Sequence, residues 1–290
     1  MAKFIGIAII FTIFLALFFT GRPAEAGAHK KTAIKNWVCY YGNRFGPETY
    51  NRFDLAVFDG IRHPPLAKTR KGTPVYLGYL SVGEVDRTGP FWHLCEGSPF
   101  LLRKNGFWDS WIVDVRQPAW QNILFETAIP SVLKRGFNGL FLDTFDSTLS
   151  LVQGEGKGRF EGVRTALVDI TRKIRSLYPN IYLAVNRGLP LLAEIADLID
   201  FTVVEDLYSY YSEDQKAYVR VDPKTQAILL DHLEKALRAN PGLTVLTLDY
   251  AEAHQKNLVK EAIVFSKSRG YIPYVSTYRL DEIFFHTLKP

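Results

Sequence analysis

Gly139–Asp143 reads GLFLD, four uncharged residues closed by one carboxylate. A run this short and apolar has the length of a β-strand. With no polar residue to show to water, it reads as buried on both faces. The same pattern recurs along the chain. Upstream lie Trp37–Tyr41 (WVCYY), Leu55–Asp59 (LAVFD), Val75–Ser81 (VYLGYLS) and Trp111–Val115 (WIVDV). Downstream lie Ile181–Asn186 (IYLAVN), Phe201–Glu205 (FTVVE), Val245–Asp249 (VLTLD) and Ile272–Ser276 (IPYVS). Most of these runs end on a polar or acidic residue.

Helical patterns lie between the later runs. Gly162–Tyr178 sets Val163, Ala166, Leu167, Ile170, Ile174 and Leu177 on one helical face. Asp222-Pro223 supplies an N-cap and a first-turn proline, and Pro241-Gly242 ends that helix. A third pattern runs from Glu252 to Arg269, before Gly270. A fourth runs from Pro118 to Arg135, before Gly136. Strand–helix alternation over ~250 residues predicts an α/β fold, a single-domain (β/α)8 TIM barrel spanning residues 35–288. A doubly wound sheet would carry a Gly-rich phosphate loop after its first strand, and none follows. Nine runs compete for eight places. Trp111–Val115 is the one to demote, because about thirty residues without a clear long helix separate it from the run before. Gly139–Asp143 is then strand four and Phe201–Glu205 strand six.

The 290 residues are 47 % apolar and 22 % charged, ordinary globular composition that excludes a disordered or collagenous chain. The net charge of +5 has no dense Lys/Arg run behind it, so no nucleic-acid partner is expected. Lys3 precedes the uncharged run Phe4–Phe19, and Ala24-Glu25-Ala26 follows with small-x-small spacing. This predicts a signal peptide over residues 1–26, cleaved after Ala26. The run falls short of the ~20 residues of a membrane span, so no stable membrane insertion is expected after cleavage. The location implied is secreted or periplasmic. Cys39 and Cys95, both in the exported part, can pair in an oxidising compartment or stay as thiols, and the sequence leaves this open.

In such a barrel the active site sits at the C-terminal ends of the strands. Those ends carry Asp59, Glu84 (just past Ser81), Asp143, Asn186, Glu205 and Asp249. An acidic ring suits glycoside hydrolysis, which needs one carboxyl protonated and a second ionised. Each acid alone reads as a helix cap or ion pair; six polar ends together point to a site. Strand alternation places Asp143 with Phe141 and Gly139, and Glu205 with Val203 and Phe201, on barrel-facing sets. Tyr40, Tyr79, Trp92, Tyr208 and Tyr250 lie at or after strand ends, where they can stack on sugar rings or simply pack. Asn186 and Arg187, at the end of strand five, can bond sugar hydroxyls or simply satisfy each other as a loop pair. Other chemistries lack their motifs. His29, His63, His93, His232, His254 and His286 form neither HxH nor HExxH, so no metal site is expected. There is no GxSxG elbow and no phosphate loop. Gly154–Gly158 (GEGKG) reads as a loop over the cleft, and no cofactor is implied.

Four blocks occur in order: Leu77–Arg87 (LGYLSVGEVDR), Trp111–Val115 (WIVDV), Gly136–Ser147 (GFNGLFLDTFDS) and Val204–Leu207 (VEDL). Together they resemble the barrel of glycoside hydrolase family 114, the endo-α-1,4-polygalactosaminidase-like proteins, over Trp37 to Ser276. The resemblance implies Asp143 as nucleophile and Glu205 as acid/base. Asp146, three residues past Asp143, can turn back over the site to grip substrate or tune Asp143 by like-charge repulsion, or equally can cap the turn at Phe145–Ser147. The family usually has Asn after the first Asp; here it is Thr144. The expected activity is hydrolysis of α-linked galactosamine-type polysaccharide by two carboxylates. An incompletely acetylated polymer of this kind is cationic and suits an acidic cleft. The rival readings are a non-catalytic polysaccharide-binding barrel and a hydrolase of another exported polymer.

Overall fold

The computed structural model describes residues 33–67, 74–153 and 158–286. The expected signal peptide and residues 154–157 of the Gly-rich loop lie outside them. Eight parallel strands follow one another around a barrel. They are β1 (Trp37–Cys39), β2 (Leu55–Asp59), β3 (Val75–Ser81), β4 (Gly139–Asp143), β5 (Tyr182–Asn186), β6 (Phe201–Glu205), β7 (Thr244–Tyr250) and β8 (Ile272–Ser276). This is the predicted (β/α)8 barrel, with strands four and six where the apolar runs placed them.

Seven ladders join the strands in chain order. The seam between β8 and β1 is stitched by Trp37 instead. Its Nε1 donates to the carbonyl of Ile272 at 2.9 Å, and its ring lies 5.8 Å from that of Tyr274. Registers fix which side chains face inward: Tyr79 pairs with Phe141, Phe141 with Ala184, Asn186 with Val203, and Glu205 with Leu248. Each strand therefore sends its last inward residue to the same mouth. At the other end Gly139 is obligatory, because a Cβ there would stand 2.0 Å from the carbonyl oxygen of Tyr182.

The demoted run is a strand outside the barrel. Ser110–Val113 pairs antiparallel with Glu84–Asp86 and Leu101–Asn105 in a small sheet above β3. The outer helices Val163–Leu177 and Pro223–Ala239 match their patterns, the second capped by Asp222 on the N–H groups of Lys224 and Thr225. The third helix starts later than its pattern, at Lys256, because Glu252 turns onto the Gln255 side chain. The stretch from Pro118 is not one α-helix. It is α over Pro118–Asn122, π over Ile123–Ala128 and α again over Ile129–Leu133. Pro130 has no N–H for the carbonyl four residues back, and the N–H of Ile129 reaches instead to Leu124. No helix among the described residues is long and apolar enough to cross a membrane. Cys39 and Cys95 are buried free thiols, which answers the open question against a disulfide.

Candidate active site

Asp143, Asn186 and Glu205 end three consecutive strands. Asn186, only 2 % exposed, stands between the other two. Its Nδ2 donates to Asp143 Oδ1 at 2.9 Å and to Glu205 Oε1 at 3.0 Å. Two hydrogens on one planar nitrogen diverge by about 120°, so the two acceptor oxygens stand about 5 Å apart. One amide thereby sets the spacing of two carboxyls on non-adjacent strands.

Burial pushes Glu205 up to about 8, helped by the negative charges of Asp143 and Asp206. Arg187 and Asn186 oppose that rise. Asp143 is also raised by burial, but it receives three donors: the N–H of Thr144, the amide of Asn186 and the hydroxyl of Tyr79. Donors to the charged form favour ionisation. Asp143 is therefore built to hold the negative charge, and Glu205 to hold the proton.

The residue after each of these three strand ends is left-handed without being glycine: Thr144 at φ +68°, Arg187 at +53° and Asp206 at +55°. Thr144 is β-branched, so this conformation is strained and must be held. Its Oγ1 meets Ser81 Oγ and the N–H of Gly83, each at 2.8 Å. Arg187 ties the neighbouring loops together. Its Nε donates to Asp146 at 2.7 Å, and its other arm lies 3.6 Å from Asp206. Asp146 also accepts from the N–H of Gly188, so it is a loop anchor in this arrangement. Asp206 is pushed up to about 6 by burial against the pull of Arg187.

Asp59 and Tyr79 pair across β2 and β3 and share the mouth. Asp59 Oδ1 also accepts from the N–H groups of Ile61 and Arg62, which shapes the turn after β2. Tyr250 sits inward, where burial first, and then the charges of Glu205, Asp206 and Asp143, raise its hydroxyl well above the ordinary value. Glu84 is buried, with its carboxyl taken by Ser110, Ser147 and Asn105. It clamps the small sheet onto the helix after β4.

Three expected substrate contacts point elsewhere. Tyr40 is fully buried on the outward face of β1, packed on Phe58 with its hydroxyl accepting from the N–H of Arg44. Tyr208 packs on Phe265 and bonds Glu261, both on the outer helix. Asp249 shares the outward parity of Thr247, which bonds Ser266 of that helix. Asp249 Oδ1 holds the N–H groups of Tyr208 and Ser209, and burial pushes the carboxyl up to about 7. Trp92 lies in a short 3-10 turn against the core.

Sequence reasoning missed Tyr41, Cys39 and Asp206. Tyr41 is the inward tyrosine after β1, with its ring 5.4 Å from Tyr79. Cys39 lies beneath the pair, its thiol pushed up by burial and by the charges of Glu205 and Asp143. Counting by twos from Trp37 reaches both residues.

The profile of glycoside-hydrolase family GH114 matches residues 20–289. Among solved structures, the glycoside hydrolase domain of PelA from Pseudomonas aeruginosa is 27 % identical, with a TM-score of 0.74. That match covers 87 % of this chain and 98 % of the other. Ega3 of Aspergillus fumigatus, solved in complex with galactosamine, shares the fold at 11 % identity and TM-score 0.65, over 87 % and 95 % of the two chains. An uncharacterized protein of Deinococcus radiodurans is 26 % identical over 272 residues, covering 87 % of this chain and 83 % of its own. A barrel with a carboxyl pair at its mouth, matched by one family profile over nearly its whole length, belongs to glycoside-hydrolase family GH114.

Proposed function

We propose that this glycoside hydrolase cleaves α-linked galactosamine-type polysaccharide within the chain, with Asp143 as nucleophile and Glu205 as acid/base. One observation carries the reading: Asn186 Nδ2 bonds both carboxyls at once. The resulting spacing of about 5 Å matches the ~5–5.5 Å of retaining enzymes and leaves no room for the water that inverting enzymes hold at ~6.5–9.5 Å. Glu205 gives its proton to the glycosidic oxygen as the bond to the leaving sugar breaks. Asp143 attacks the same anomeric carbon from the opposite face, forming a glycosyl ester. Glu205, now ionised, takes a proton from water as that water attacks the anomeric carbon and the bond from that carbon to the Asp143 oxygen breaks. A pH-7 acid on Glu205 requires a raised pKa, and its rise to about 8 supplies one.

The substrate class follows from the mouth. Asp59, Asp143, Glu205 and Asp206 gather there, and Arg187 is already held by Asp146 and Asp206. Such a mouth attracts an ammonium-bearing sugar although the whole chain is positive. A merely binding barrel has no use for a buried carboxyl pair with displaced protonation. Asp143→Asn and Glu205→Gln should each cut turnover on an α-1,4-galactosamine polymer by about 10³-fold or more while leaving the fold intact. Near-normal chain shortening by both variants would overturn the assignment. We propose export as well, on the sequence signal alone; protein from the native host should begin near Gly27, and a full-length membrane-bound product would refute this.

A further inference from the structure

The small sheet above β3 ends in a tip that the mechanism does not use. Residues 106–109 form it, joining Leu101–Asn105 to Ser110–Val113. Phe107 is 56 % exposed and Trp108 61 %, the two most exposed aromatic side chains among the described residues. A single exposed aromatic is ordinary, whereas two adjacent ones on one turn call for a partner. We propose that this tip docks the protein on an anionic lipid surface. Phe107 and Trp108 enter the headgroup layer, and the cations around them meet the lipid phosphates.

The tip is held in place by its own hydrogen bonds. The N–H of Phe107 donates to Asn105 Oδ1 at 3.2 Å, and Asn105 Nδ2 donates to the buried Glu84 at 3.2 Å. The N–H of Arg87 donates to the carbonyl of Asp109 at 3.2 Å, and Lys104 Nζ lies 2.9 Å from the Asp109 carboxylate. Asp109 takes a left-handed φ of +50° to close the turn. Rings displayed on a fixed backbone lose little further freedom on docking. Kept in water by that frame, they gain only when an apolar layer covers them.

Charge selects the partner. Arg87 and Lys104 flank Asp109, and Arg103 is exposed on the same strand as Lys104. Arg62 reaches the carbonyl of Thr88, the residue after Arg87, at 2.9 Å. Against these four cations stand the carboxylates of Asp86 and Asp109, so the surroundings of the tip are positive. Cations are drawn to the negative potential of an anionic bilayer, and Trp and Phe partition into its interface. A sugar chain fits the tip less well. The two rings stand edge to face, with centroids 4.6 Å apart at 83°, so one covers a face of the other that a sugar would need open. The cations also repel the ammonium groups that the acidic mouth attracts. The attachment is to a surface and is not a span, since no helix among the described residues is long and apolar enough to cross a membrane.

Trp108 is its own probe. Of the five tryptophans, Trp37 and Trp120 are buried and Trp92 and Trp111 half-buried, so the exposed one dominates any change on docking. The full chain is mixed with vesicles of phosphatidylcholine alone, or of phosphatidylcholine with about a third phosphatidylglycerol. The wild-type minus Trp108→Ala spectrum isolates the tip from any binding by the N-terminal apolar run. On the anionic vesicles Trp108 emission should move to the blue and be quenched by brominated acyl chains. Half of the shift should need about tenfold less lipid than on the neutral vesicles, an advantage that about 1 M salt removes. Arg103→Gln with Lys104→Gln keeps both aromatics and should raise the lipid required about tenfold or more, with the melting temperature showing that the chain is still folded. No shift on anionic vesicles, equal shifts on the two kinds, or an unchanged lipid requirement in the folded double variant would overturn the proposal. So would a shift produced by a soluble galactosamine polymer and not by vesicles, which would make the pair a sugar platform.

Discussion

Asp249→Asn should make the protein more stable at alkaline pH and leave it little changed near pH 4. Asp249 is fully buried, and its carboxyl rises from an ordinary 3.8 to about 7, first because burial penalises the charge. The N–H groups of Tyr208 and Ser209 oppose the rise without cancelling it. A carboxyl raised by folding binds its proton more tightly in the native state. Its contribution is intact below the unfolded pKa and is lost as pH climbs through the folded one. Each pKa unit is worth about 1.4 kcal/mol, so the rise to about 7 costs about 4 kcal/mol between pH 4 and pH 8. Asparagine keeps an oxygen for the two backbone N–H groups and carries no charge at any pH. Glu205 and Asp206 move the wild type in the same direction, so the mutant-minus-wild-type difference removes that shared background and reports residue 249 together with its coupling to Asp206. Urea unfolding across that range measures it. A difference that stays flat with pH, or that falls as pH rises, would refute the reasoning.

Arg187→Met removes a cation that lowers both Glu205 and Asp206. The alkaline limb of the kcat/KM profile should move to higher pH, and activity should fall about tenfold as the loops holding the pair lose their tie. Gly139→Ala drives a methyl into the Tyr182 carbonyl, a backbone atom that cannot swing aside, and should cost about 3 kcal/mol or more in a chemical melt. Both cysteines should react with a thiol reagent only after denaturation, at two thiols per chain, since both are buried and free; a native protein without titratable thiols after unfolding would contradict this.

The barrel was legible because its strands are buried on both faces and so read as continuous apolar runs. That same continuity hides which side chains face inward. In WVCYY every residue is apolar or aromatic, so nothing local separates outward Tyr40 from inward Tyr41; the Trp37 bond across the seam does. The run VLTLD suggests a strand closed by an inward acid. β7 continues to Tyr250, and its register opposite Glu205 falls on Leu248, which turns Asp249 outward. Asp143 and Glu205 escaped this ambiguity, because in each case the acid is the last residue of its strand. The bridging role of Asn186 was beyond a linear reading: it depends on β5 lying between β4 and β6, with one nitrogen reaching both neighbours. The π turn was hidden for another reason. Its apolar spacing passes for α, and only the missing N–H of Pro130 marks the break.

The measurement that bears most directly on the Asp143–Glu205 pair is the anomeric configuration of the first product. An α-1,4-galactosamine oligomer should be digested inside an NMR tube, before mutarotation erases the signal. A carboxyl pair held about 5 Å apart by Asn186 predicts two displacements at one carbon, and hence release of the α-anomer. Initial release of the β-anomer would require a water between the carboxyls, and would contradict the spacing on which the assignment stands.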